Sequence, residues 1–143
     1  MEEFLLQLDE DRIVTSIGEA ESSTSGEIRV HIEKHCPIEV LDRSVEVFAN
    51  LHMHQTRQRN GVLIYIACHD HKFAIIGDAG INAKVGPNFW QEEKQILSHH
   101  FQASQFTDGI VKAIHKVGTV LKQHFPYRPD DINELPDDIS YGD

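Results

Sequence analysis

The chain has 143 residues, with 23 acidic against 13 basic side chains and a net charge of −10. That length suits one domain around one core, and the acid excess leaves no basic surface for a nucleic-acid backbone. The longest apolar run, residues 62–68, is far too short to span a bilayer, so no membrane segment is expected.

Residues 9–23 read as a helix, with Ile13, Ile17 and Ala20 recurring at helical spacing and Asp9 able to cap the start. Phe4, Leu5 and Leu8 extend it or form a separate turn. The cluster Ser22-Ser23-Thr24-Ser25-Gly26 ends it. Residues 27–33 alternate Ile28, Val30 and Ile32 with Arg29, His31 and Glu33, the pattern of a half-buried strand. A helix over residues 38–55 follows, with Val40, Leu41, Val45, Phe48 and Leu51 as its apolar stripe. Residues 61–68 are almost entirely apolar, which marks a central strand buried on both faces. Strand, helix and strand in that order require a parallel pair with a crossover. The short turn His69-Asp70-His71-Lys72 then makes residues 73–76 an antiparallel hairpin partner. Gly77-Asp78-Ala79-Gly80 ends this strand, and residues 82–88 read as a loop containing Gly86-Pro87. Two helices follow, over residues 89–101 and 107–124. The inward positions of the second are Ile110, Val111, Ile114, Val117, Val120 and Leu121.

The expected organisation is one α/β domain over residues 1–125 and an acidic, proline-containing tail over 126–143. The tail holds six acids, one arginine and three of the five prolines. It has no clear period, and Ile132, Leu135, Ile139 and Tyr141 are its docking candidates. Residues 1–6 are acidic and show neither a basic n-region nor a cleavage site, so the cytoplasm is the expected compartment. Cys36 and Cys68 lie 32 residues apart without a C-x-x-C and are expected to be reduced, although each follows a strand of the parallel pair. A monomer is expected.

The segments Thr24-Ser25-Gly26-Glu27-Ile28-Arg29-Val30, Arg59-Asn60-Gly61-Val62-Leu63-Ile64-Tyr65-Ile66-Ala67, Phe73-Ala74-Ile75-Ile76-Gly77-Asp78-Ala79-Gly80-Ile81 and Phe106-Thr107-Asp108-Gly109-Ile110, in this order over residues 9–125, resemble the TPM-domain family. The resemblance implies a three-layer, Rossmann-like α/β/α sandwich with a small mixed sheet. It also implies binding of calcium or magnesium, with an acid phosphatase activity proposed for some plant relatives. Many relatives carry a signal peptide and a membrane helix or low-complexity tail, neither of which is read in this chain.

Strand polarity supplies a candidate site. Glu27 opens the first strand, Asn60 precedes the second, and Asp78 ends the third, which runs the other way, so all three fall at one edge of the sheet. Two carboxylates and an amide oxygen form a hard-oxygen set suited to calcium or magnesium rather than zinc. Asp108 joins by the family motif. A helix over 89–101 that runs the full sheet height would instead carry Asp108 to the far edge. Each residue also has a plain structural reading: Glu27 as a solvated strand residue, Asn60 as a turn former, Asp108 as a helix N-cap. The ten histidines include the pairs His31/His35, His52/His54, His69/His71 and His99/His100. None makes an H-E-x-x-H, and they read as surface residues. Trp90 reads as a staple of its helix onto the core. There is no G-x-S-x-G, P-loop or G-x-G-x-x-G. The leading expectation is a divalent-cation-binding protein. A metal-dependent phosphatase using the same edge and a module for an unidentified protein partner are the alternatives.

Overall fold

The structure, a computed structural model, describes residues 8–127 and 139–142. Its elements are α1 (Glu10–Glu21), β1 (Glu27–Glu33), α2 (Val40–Asn50), a 3-10 turn at Met53–Gln55, β2 (Gly61–Ala67), β3 (Lys72–Gly77), α3 (Ala79–Asn82), α4 (Pro87–Gln102), α5 (Phe106–His124) and β4 (Ser140–Tyr141). The sheet order is β3-β2-β1-β4. β1 and β2 are parallel from Glu27↔Gly61 to Glu33↔Ala67, as the crossover requires, and β3 is antiparallel to β2 from Val62↔Gly77 to Ala67↔Lys72.

The even-numbered residues of β1 and β2 face one way. Ile28, Val30, Ile32, Val62, Ile64 and Ile66 join Ile13 and Ile17 of α1, Leu97 of α4 and Ile110, Ile114 and Val117 of α5 in the larger core. Leu63, Tyr65 and Ala67 face the other way and meet Val47 and Phe48 of α2. Two layers of helix therefore enclose the sheet, giving an open mixed sheet in an α/β/α sandwich. All seven residues of β2 are buried, and each large aliphatic among them contributes about 1.5–3 kcal/mol.

Several expectations need correction. β1 is buried along its whole length rather than on one face: Glu33 is engaged by Arg43 of α2 and by Tyr65, and His31 by Glu33 and by Ser140 of β4. His31, read as a surface histidine, is only 6% exposed. The stripe of α2 has a different phase: Ser44, Val47 and Phe48 are buried, whereas Leu41 and Val45 are exposed. The hydroxyl of Ser44 donates to the Val40 carbonyl at 2.7 Å, which makes a polar residue tolerable at the packed position. The stretch read as a plain strand end forms the single turn α3, which meets the segment read as a loop only at Asn82, and α4 starts earlier than expected, at Pro87 in the first helical turn. Part of the tail is structured. Ser140 and Tyr141 pair parallel with His31 and Ile32, and the Gly142 N–H donates to the Ile32 carbonyl at 2.8 Å. Ile132 and Leu135 lie outside the described residues, as do Phe4 and Leu5.

Trp90 does staple α4: its ring lies where a side chain on Gly77 would sit, and its indole N–H donates to Asn82 Oδ1 at 2.9 Å. Cys36 and Cys68 are both free thiols, packed against opposite faces of the sheet.

Glu93 is the anomaly of the core. It lies one turn before Leu97 on the inward side of α4, fully buried, and neither carboxyl oxygen has a hydrogen-bond partner among the described residues. Burial raises its pKa from 4.5 to about 8, against the pull of Lys116 and with the push of Glu92. The folded protein keeps this proton to about pH 8, whereas the unfolded chain releases it near pH 4.5. The stability linked to it is therefore intact below pH 4.5 and is lost as pH rises toward 8. Glu93→Gln should be about as stable as the parent in acid. Its advantage should widen by about 1.4 kcal/mol per pH unit between those limits, measured by chemical denaturation across the pH range.

Candidate functional site

The ladder brings Glu27, Asn60 and Asp78 to the same end of the sheet. The Glu27 N–H points to the Asn60 carbonyl at 3.5 Å, and the Asp78 N–H donates to the Gly61 carbonyl at 2.9 Å. All three are buried: Glu27 is 2% exposed, Asn60 1% and Asp78 8%. The first strand residue is thus not solvated. Asn60 donates its amide nitrogen to Ser25 Oγ at 3.2 Å, while its Oδ1 is buried without a hydrogen-bond partner among the described residues.

Asp78 is held by a group that sequence reasoning overlooked. Arg59 donates from Nε and a terminal nitrogen to the two carboxylate oxygens of Asp78, at 2.7 and 2.8 Å. Asp78 also caps α3 through the Ala79 N–H at 2.7 Å. The Arg59 backbone is left-handed, with φ of 52°, and its carbonyl accepts from the N–H groups of Gly80 and Ile81 at 2.8 and 3.3 Å. The guanidinium is held firmly protonated by Asp78. The signal was available: the β2–β3 register continues past Val62↔Gly77, which puts residue 59 diagonally across from residue 78. Gly80 is needed for this contact, since a Cβ there would meet the Gln58 carbonyl oxygen at 2.0 Å and that of Arg59 at 2.7 Å.

Asp108 does not join this group. The 16-residue helix α4 spans about 24 Å. It starts with Trp90 against Gly77 and ends with Phe101 against Phe73, at a ring separation of 5.3 Å. The chain is thereby carried to the far edge. There Asp108 lines an open groove between α1 and α5 and pairs with the half-exposed Arg12. It occupies the first turn of α5, and the N-cap is Gln105. Among the described residues, no three His, Cys, Asp or Glu side chains gather as a metal-holding group.

A second polar cluster stands at the other end of β1. Glu33 accepts from Arg43 of α2 at 2.8 and 2.9 Å, from the Tyr65 hydroxyl, and from His31 at 3.1 Å. Burial raises its carboxyl pKa, but these bonds outweigh it and hold the value at about 2. Burial likewise lowers the pKa of His31, against the attraction of Glu33. Ser140 of β4 bonds the other ring nitrogen of His31 at 3.0 Å, and the backbone of Gly142 lies over the Glu33–His31 pair. Every oxygen and nitrogen here is spoken for, which makes the cluster a fastening of α2 and β4 to the sheet.

A three-layer sandwich of this topology, with Ser-Gly-Glu, Arg-Asn-Gly and Gly-Asp-Ala-Gly turns on its strand-start edge, is a TPM-type domain. The family model described as the TPM domain matches residues 1–120, and the chain belongs to that family. It is similar to BA42 protein from the psychrophilic bacterium Bizionia argentinensis, whose NMR structure superposes with a TM-score of 0.88. The two are 46% identical, and the match covers 95% of this chain and 96% of that one. No curated protein matches. No described helix is long and apolar enough to cross a membrane.

Gly80→Ala tests how tightly the edge is built. It should lower stability by about 1–3 kcal/mol through overpacking against the Gln58–Arg59 backbone. Gly86→Ala, where a Cβ meets nothing within 4 Å, should change it by less than about 1 kcal/mol. Thermal unfolding of the two variants beside the parent gives the comparison.

Proposed function

We propose that this TPM-domain protein binds a divalent cation, calcium or magnesium, at the strand-start edge, through Glu27, Asn60 and Asp78. The observation that carries the reading is the buried Asn60 Oδ1, an amide oxygen with no hydrogen-bond partner among the described residues, on the same sheet edge as two buried carboxylates. Such oxygens suit a hard cation, which fills its remaining positions with water. Asp78 becomes available when Arg59 swings away, and the Arg59 side chain, 52% exposed, has room to do so. On this reading Arg59 is an internal cation that occupies the carboxylate until a divalent ion replaces it. Asp108, at the opposite edge, has no part in it. The same ligands would also serve metal-assisted phosphomonoester hydrolysis, with the ion polarising a phosphoryl oxygen. Turnover of para-nitrophenyl phosphate with and without metal separates binding from catalysis.

Calcium or magnesium at a hundredfold excess over its dissociation constant should stabilise the fold by about 2.7 kcal/mol, read as a rise in melting temperature. Asp78→Asn should fold and lose most of that rise. Arg59→Gln should reach the same rise at lower metal concentration, because the competing guanidinium is gone. Equal responses from the parent and both variants would place any cation site elsewhere.

A further inference from the structure

At the sheet end opposite Glu27, between the β2–β3 turn and the α4–α5 turn, lies a cavity of about 340 Å³. Its walls include Ile66, Cys68, Phe73, Phe101 and Phe106, and Lys72 stands on its rim. Phe101 meets Phe73 and Phe106 edge-on, with ring centroids 5.3 and 5.8 Å apart. The size and the mainly apolar lining with a few polar groups are those of small-molecule sites. The cavity sits beyond the carboxyl end of β2, where open α/β sheets place their ligands.

Its charge runs against that of the chain. The protein has ten more acids than bases, yet among the described residues no acid lines this cavity, while Lys72 and His71 do. The neighbouring Asp70 is engaged elsewhere, accepting from the Cys36 N–H at 2.7 Å and pairing with His35 at 3.0 Å. Both turns that frame the mouth hold a non-glycine residue in left-handed backbone: His71 with φ of 55° and Ser104 with φ of 59°. Ser104 closes α4 in the position glycine usually fills. Its N–H donates to the Phe101 carbonyl at 3.1 Å, and the next N–H, of Gln105, donates to that of His100 at 2.8 Å. Strained backbone of this kind gathers at ligand sites.

We propose that this cavity binds a small aromatic monocarboxylate, its ring among Phe73, Phe101 and Phe106 and its carboxylate at the Lys72 ammonium. The site is separate from the cation edge and stands whether or not that edge binds metal. The test is a titration of 15N-labelled protein with 3-phenylpropionate, with uncharged 3-phenylpropionamide as comparator. The amides of Cys68, Lys72, Phe73, Phe101 and Phe106 should shift together and saturate. The acid should bind about tenfold more tightly than the amide, the advantage of a charge-assisted hydrogen bond. Lys72→Ala should remove that preference and leave binding of the amide unchanged. Ser98→Trp, which fills the cavity from α4, should abolish both. The proposal is overturned if these amides do not move at millimolar ligand, if the shifts centre elsewhere, if acid and amide bind the parent equally, or if Lys72→Ala keeps the preference.

Discussion

The parallel ladder between β1 and β2 is the constraint on which the rest of the structure depends. Its register, Glu27↔Gly61 through Glu33↔Ala67, decides which side chains meet the helices on each face. A slip of one residue would turn Arg29, His31 and Glu33 into the larger core and send Ile28, Val30 and Ile32 to the face under α2. The same ladder defines two chemically different ends. At one end it gathers Glu27 and Asn60, and the β2–β3 hairpin adds Asp78. At the other it gathers Glu33 and, past β2, the aromatic cavity.

Covering the second face of β1 has a cost that the surrounding residues meet. All four of its alternate residues, Glu27, Arg29, His31 and Glu33, are ionisable and buried. Glu33 stays ionised because Arg43, Tyr65 and His31 all donate to it. A buried network of this kind adds little net stability over an apolar alternative. Breaking it from one side would leave an uncompensated charge, so it ties the position of α2 to the register of β1. β4 completes the arrangement from the tail, with Ser140 on His31. Glu93 is the counterexample in the same molecule: a buried carboxyl without such partners, which keeps its proton instead.

Much of this was legible in the sequence, and the omissions have physical causes. The apolar run of β2 and the turn at residues 69–72 were enough to derive both strand pairings, and the 3.6-residue period located α1 and α5. Strand polarity alone put Glu27, Asn60 and Asp78 at one edge. The phase of α2 was misread because its buried face includes Ser44, whose polarity is satisfied within the helix, while Leu41 and Val45 stand outside. β4 escaped because a two-residue strand carries no period. Arg59 escaped because its role comes from the register across a hairpin rather than from residue type. Asp108 was the least legible of the candidates: its place depends on the length of α4, which spans the sheet and delivers it to the wrong end for a shared site.

The strand-start edge is the place we propose for a divalent cation. Manganese, a paramagnetic substitute for magnesium and calcium at oxygen sites, tests it residue by residue through broadening of backbone amide resonances. Substoichiometric manganese should erase the signals of residues 25–28, 59–61 and 77–80 first, and added calcium or magnesium should restore them. Broadening centred on the α1–α5 groove around Asp9 and Asp108, or on the turn at residues 69–72, would contradict the claim.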